Sequence, residues 1–177
     1  MNYATVKTHD VANGPGVRVS LFVSGCSHHC KNCFNEEAWD YQYGEPYTPA
    51  VEQRILDALA PDYITGLSLL GGEPMDPRNQ ETVCALVRRV RETYPNKTIW
   101  CYSGYTLDEQ LLAGKVGDPQ TVRELLSMLD VLVDGRFVEE QKDLTLRFRG
   151  SANQRLIDVP KTLQTGKIVW WDESNEG

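Results

Sequence analysis

Three cysteines, Cys26, Cys30 and Cys33, fall on one short stretch in the pattern Cys-x-x-x-Cys-x-x-Cys, whereas Cys84 and Cys101 stand alone. The total of five is odd, and Met1 to Asp10 lack the charged-then-apolar pattern of a secretion signal, so a disulfide framework is not expected. Clustered thiols in a reducing compartment point to a metal site instead. Three thiolates on one loop can hold three corners of a four-iron cluster. A cluster normally takes four ligands, so the fourth iron is left open to a small molecule. Structural zinc is the rival reading, with His28 or His29 as a fourth ligand. Zinc sites, however, usually arrive as two separated ligand pairs, and a loop this tight strains a tetrahedral closure. Cys84 beside the apolar face of a helix and Cys101 within a strand read as small core residues.

The elements that must carry this loop alternate between strand and helix. Val17 to Val23 is rich in β-branched and aromatic residues and reads as a first strand, preceded by the turn Asn13-Gly14-Pro15-Gly16. Thr48 caps a helix with Pro49 at its first position, and Val51, Ile55 and Leu59 share one face. Ile64 to Leu70 is a second strand ending at Gly71-Gly72. Asn79 to Tyr94 is the strongest helix, with Val83, Leu86, Val87 and Val90 as its apolar stripe. A third strand covers Thr98 to Tyr102 and a fourth Val131 to Val133, with a short helix near Leu107 to Leu112 and a longer one near Thr121 to Leu129 between them.

This alternation predicts an α/β fold with a mostly parallel sheet, and 177 residues suffice for only part of a (β/α) barrel, in one domain over residues 1–177. Leu146 to Trp171 breaks the pattern. It holds short β-like runs at Arg155 to Val159 and Lys167 to Trp171 but no clear helix, and reads as an irregular closing segment. In a βα unit the loop after a strand lies at the carboxyl edge of the sheet, where ligands bind, and the cysteine loop takes that place directly after the first strand.

Composition removes several function classes. At 41% hydrophobic and 24% charged the chain can build a core, and no apolar run approaches the ~20 residues of a bilayer crossing. A membrane partner is therefore not expected, and the protein is expected in the cytoplasm. The formal net charge of −7 repels phosphate backbones, so nucleic acid is not an expected partner.

The cysteine pattern resembles the signature of the radical S-adenosylmethionine superfamily. Several further motifs resemble one branch of it, the activating proteins of anaerobic ribonucleoside-triphosphate reductase. These are Asn13-Gly14-Pro15-Gly16, Phe22-Val23-Ser24-Gly25-Cys26, Asn32-Cys33-Phe34-Asn35, Gly71-Gly72-Glu73-Pro74, Ser103-Gly104-Tyr105, Val131 to Phe137, and Arg149-Gly150-Ser151-x-Asn153-Gln154. The resemblance spans roughly residues 10 to 155. Pyruvate formate-lyase activase shares the loop and the chemistry, but the last two motifs favour the reductase branch.

The resemblance implies that Cys26, Cys30 and Cys33 ligate a [4Fe–4S] cluster whose open iron is chelated by S-adenosylmethionine. It further implies that Gly71, Gly72 and Glu73 meet the methionine ammonium group, and that Ser103 meets the ribose or methionine part. The superfamily often has an aromatic residue just before the third cysteine. Here Asn32 holds that place and Phe34 follows the cysteine, so adenine would be met by backbone from Asn32 through Cys33 to Phe34. One electron then cleaves S-adenosylmethionine, and the 5′-deoxyadenosyl radical takes a hydrogen atom from a glycine on the large reductase subunit. A one-electron donor such as flavodoxin is the implied second partner. Asp134 reads either as a ligand contact or as a turn residue. His28 and His29 read as solvated loop residues rather than catalysts, and Arg149 and Asn153 either as part of a docking surface or as structural. Trp170 and Trp171 either cover the core or mark a contact surface.

Overall fold

The computed structural model describes residues 1–33 and 36–173. In chain order the strands and α-helices are β1 (Asn2–Asp10), β2 (Val17–Val23), β3 (Glu45–Pro46), α1 (Pro49–Leu59), β4 (Ile64–Gly71), α2 (Gln80–Thr93), β5 (Thr98–Ser103), α3 (Pro119–Met128), β6 (Val131–Asp134), β7 (Arg155–Asp158) and α4 (Val159–Thr165). Thr48 accepts from the Val51 N–H at the start of α1, and Asp118 does the same from Thr121 for α3; each is followed by proline at the first helical position. The short helix expected near Leu107 is a single π-helical turn, Leu107–Leu111.

The seven strands form one open sheet in the order β3-β1-β2-β4-β5-β6-β7. Only β2, β4, β5 and β6 run parallel to one another. β1 and β3 on one edge and β7 on the other pair antiparallel. The expected α/β fold is thus present as a mixed seven-stranded sheet that is parallel at its centre and not closed. Besides the two-residue β3, two longer elements were not foreseen. β1 is a polar edge strand, largely exposed, whose sequence NYATVKTHD carries no apolar alternation. It joins β2 through a turn too short for a crossover, which makes the pair antiparallel. The tail contains α4, capped by Asp158 on the Lys161 N–H and ended by Gly166 in the left-handed conformation.

The sheet divides the packing between its two faces. Leu21, Leu67, Leu69, Ile99, Cys101 and Leu132 share one core with Ile55 and Leu59 of α1, Val83 to Val90 of α2, and Val122 and Leu125 of α3. Each such side chain contributes about 1.5–3 kcal/mol when fully buried. Cys84 and Cys101 lie in this core, as expected. The alternate residues Trp100, Val131 and Val133 form a smaller cluster on the other face, covered by Phe148 and Trp171 of the tail. Among the described residues no helix is long and apolar enough to cross a membrane.

Candidate functional site

The four parallel strands end at Val23, Gly71, Ser103 and Asp134. Along these ends runs a cleft of about 490 Å³ whose wall includes Cys26, Cys30, Cys33, Gly71, Gly72, Glu73 and Ser103. All six residues expected from spacing and resemblance outside the adenine assignment (Cys26, Cys30, Gly71, Gly72, Glu73 and Ser103) therefore belong with Cys33 to one concave site, at the carboxyl edge of the sheet.

The cysteine loop is folded back by two non-glycine residues in the left-handed region, His29 (φ 49°) and Asn32 (φ 56°). Its base is fixed by backbone: Gly25 N–H donates to Ala38 O (2.7 Å), Cys26 N–H to Trp39 O (3.2 Å) and Cys33 N–H to Cys30 O (3.1 Å). Cys26 is buried, and Cys30 and Cys33 are half-buried; all three are free thiols. Burial pushes the Cys26 thiol up to about 11, against the backbone N–H groups of His28 and His29 that point at its sulfur. Burial raises Cys30 as well, opposed by the N–H of Phe137, from the loop after β6. Backbone donors aimed at buried sulfurs suit thiolates whose charge is neutralised by a bound metal, since coordination deprotonates a thiol outright. The loop therefore fits a metal cluster. Among the described residues no three His, Cys, Asp or Glu side chains form a ready-made site for a single metal ion.

The Gly71-Gly72-Glu73 turn is stitched to the base of that loop. Gly72 N–H donates to Val23 O and Glu73 N–H to Gly25 O, both at 2.8 Å. Gly71 has φ +108°, and a Cβ there would come within 2.6 Å of the Val23 backbone. The glycines are required by this approach of two strand ends to each other.

Glu73 is buried and accepts four hydrogen bonds. Oε1 receives the Gly104 N–H (2.6 Å) and His28 Nε2 (2.8 Å); Oε2 receives the Met75 N–H (2.8 Å) and the Ser103 hydroxyl (2.9 Å). A carboxylate offers about four lone-pair sites, so these donors fill it. Ser103 is buried with Glu73 in the same network. Asn32, expected to meet adenine, is exposed and lies outside the cleft lining, its left-handed backbone turning the loop instead. Phe34 lies outside the described residues.

Asp134 is fully buried and structural. It accepts the Leu107 N–H (2.8 Å), capping the π-helical turn, and receives Arg155 at 2.9 and 2.6 Å. His28 is corrected most: its side chain is only 3% exposed and paired with Glu73. His29 remains exposed, with its ring stacked on Trp39. Arg149 donates to the Ala152 and Gln154 carbonyls, and Asn153 donates to Arg136 O and accepts from Ser151. Arg149 thus binds its own loop, and Asn153 joins that loop to the one after β6. Trp171 covers Trp100, while Trp170 is half exposed beneath Arg149. The residues missed from sequence are His28 and the N–H groups of Gly104 and Phe137. The signal for Gly104 and Phe137 was present only as membership of the motifs around residues 103–105 and 131–137, and that for His28 only as its place between Cys26 and Cys30.

The cysteines line a cleft at the carboxyl ends of the central parallel strands, and residues 12–157 match the family described as a 4Fe-4S single cluster domain, which places the chain among iron–sulfur proteins. The chain is 47% identical over 156 residues to the anaerobic ribonucleoside-triphosphate reductase-activating protein of Vibrio cholerae, covering 87% of this chain and 96% of that one. It is 42% identical to the protein of the same name from Escherichia coli K12, with the same coverage. To that of enterobacteria phage T4 it is 38% identical over 160 residues, 88% of this chain and 93% of the other. The chain belongs to the anaerobic ribonucleoside-triphosphate reductase-activating protein family.

Proposed function

We propose that this chain activates anaerobic ribonucleoside-triphosphate reductase as a single radical S-adenosylmethionine domain, with Cys26, Cys30 and Cys33 holding a [4Fe–4S] cluster. The observation that carries the reading is that all three cysteines, the Gly71-Gly72 turn and Ser103 line one cleft. When bound, the cluster supplies one electron to the sulfonium of S-adenosylmethionine, whose cleavage yields the radical that takes a hydrogen atom from a glycine of the large reductase subunit.

The chain's own residues bind, orient and exclude water. Backbone N–H groups steady the Cys26 and Cys30 sulfurs. Glu73 is filled by internal donors, so the methionine ammonium group is met by backbone at Gly71 and Gly72. Phe22, Leu70, Val133 and Phe148 give the cleft an apolar wall, which keeps solvent from a reactive intermediate. No general acid or base is required of the protein. The parallel strands act as a section of a (β/α) barrel, open where the reductase subunit must close over the site. A one-electron donor such as flavodoxin is the second partner, and the cytoplasm is the working compartment.

The test is anaerobic reconstitution with iron and sulfide, followed by assay of S-adenosylmethionine cleavage and of glycyl-radical formation on the reductase by electron paramagnetic resonance. Alanine at Cys26, Cys30 or Cys33 is expected to abolish both, while Cys84→Ala and Cys101→Ala retain the cluster. Equal iron loss from Cys84→Ala would show that the ligands are misassigned.

A further inference from the structure

His28 stands between two of the cysteines and has no part in the reaction as described above. Its side chain is 3% exposed, with Nε2 2.8 Å from Oε1 of Glu73, itself 1% exposed. The other groups on that carboxylate are donors: the N–H of Met75, the N–H of Gly104 and the hydroxyl of Ser103. Ser103 Oγ accepts from the Tyr105 N–H at 3.1 Å, which leaves its own hydrogen for Glu73. An ionised carboxylate only accepts, so the hydrogen in the fourth contact belongs to Nε2. The ring is wedged in place. It lies 4.4 Å from the Tyr105 ring, and a Cβ on Gly104 would come within 2.6 Å of it. Its Nδ1 is buried and has no hydrogen-bond partner among the described residues. A buried nitrogen without a partner is destabilising, and what offsets it here is the bond to Glu73.

We propose that His28 is a positioning residue of the cleft. Its Nε2–H ties the cysteine loop to Glu73, and Glu73 ties that loop to the turn after β4 and to the end of β5. The proposal rests on the reading of the cleft as an S-adenosylmethionine site. A small molecule reaching from the cluster loop to the ends of β4 and β5 is held well only if these three segments keep their spacing. Loss of the tie therefore weakens the small molecule more than it loosens the cluster, whose ligands are set by backbone contacts at Gly25, Cys26 and Cys33.

The test is S-adenosylmethionine binding to anaerobically reconstituted protein by isothermal titration, with iron per chain measured beside it. Wild type is compared with His28→Ala and His28→Gln. A glutamine amide places an NH₂ near the Nε2 position and can restore the bond without an imidazole. The alanine variant is expected to keep wild-type iron while its Kd rises about tenfold, and glutamine to return within about twofold of wild type. An alanine variant that binds like wild type, or a glutamine variant as weak as alanine, overturns the proposal. Should alanine fail to take up iron, glutamine decides alone: affinity within twofold upholds the tie, and a tenfold loss overturns it. If loaded wild type binds no S-adenosylmethionine, the reading of the cleft fails. The tie is then decided in metal-free protein, where amide exchange at Gly104 should quicken in His28→Ala and not in His28→Gln.

Discussion

A methyl group at Gly72 would come within 2.6 Å of Gly25 O and 2.8 Å of Ala38 O. Both are backbone atoms, and both belong to the contacts that seat Cys26, so neither gives way as a flexible side-chain end would. Gly166 is the opposite case. It is left-handed at φ +73°, but a Cβ there meets nothing within 4 Å. Gly166→Ala should cost only the left-handed penalty of about 1–2 kcal/mol and leave iron uptake unchanged. Gly72→Ala should cost about 2–4 kcal/mol and impair iron uptake, because the base of the cysteine loop must move. Thermal unfolding of the metal-free proteins, read beside iron per chain after reconstitution, separates the two. Equal iron in both variants would mean that the turn after β4 does not set the cysteine loop. Arg155 and Asp134 teach the same lesson in charges: a buried carboxylate at the end of β6, paired with a half-buried arginine of β7, holds the Leu107 N–H.

The elements that position the site differ in how they are held. The turn between β1 and β2 hangs on Asp10, whose carboxylate accepts the Ala12 N–H (2.9 Å), Asn13 Nδ2 (2.6 Å) and the Ser20 hydroxyl (2.6 Å). Burial works to raise the pKa of Asp10, but these hydrogen bonds outweigh it and hold the carboxyl below its ordinary value. A lowered carboxylate pKa stabilises the fold above the unfolded-state pKa, and that contribution is lost as pH falls through the lowered value. Asp10→Asn should therefore destabilise the protein by about 1–3 kcal/mol at pH 7, and the difference from wild type should shrink at a pH well below the ordinary aspartate value of about 3.9. Urea unfolding at the two pH values checks this; a constant difference would mean that Asp10 acts by shape rather than charge. Much of the scaffold around this turn was legible in sequence. The β-branched run of β2, the four-residue spacing in α1 and the stripe Val83, Leu86, Val87 and Val90 in α2 are local patterns, each packed as its period implies. The cysteine loop was legible for the same reason, since its three cysteines lie on one short stretch of chain. β1 was not, because an exposed edge strand needs no apolar alternation. The Glu73 network was not either, because it joins residues 28, 73 and 103 from three separate segments, and no local pattern records such a meeting.

At the scale of the whole molecule, the tail and the site are one structure. Phe148 and Trp171 lie 5.3 and 4.9 Å from Trp100 on the face of the sheet away from α1 to α3, and Phe148 also lines the cleft. The loop that carries Phe148 is closed on itself. Arg149 reaches Gln154 O at 2.6 Å, Gln154 reaches Gly135 O at 3.0 Å, and Asn153 reaches Arg136 O at 2.8 Å. One residue further along, the Phe137 N–H points at the Cys30 sulfur. The tail is therefore hydrogen-bonded to the Arg136–Phe137 peptide, whose N–H acts to lower the pKa of Cys30, a cysteine of the proposed cluster. This arrangement favours the second of the two readings of the Arg149-to-Gln154 motif, a surface for the reductase or a brace for the site. A docking surface leaves its polar side chains available to a partner, whereas Arg149 is engaged within its own loop and Asn153 with Ser151 and Arg136. Changing both to alanine should lower stability by about 1–3 kcal/mol and speed iron loss in air. Glycyl-radical yield should fall in step with iron content, measured on the same samples. Unchanged stability and iron, with loss confined to reductase binding, would assign the motif to docking and break the proposed link to Cys30.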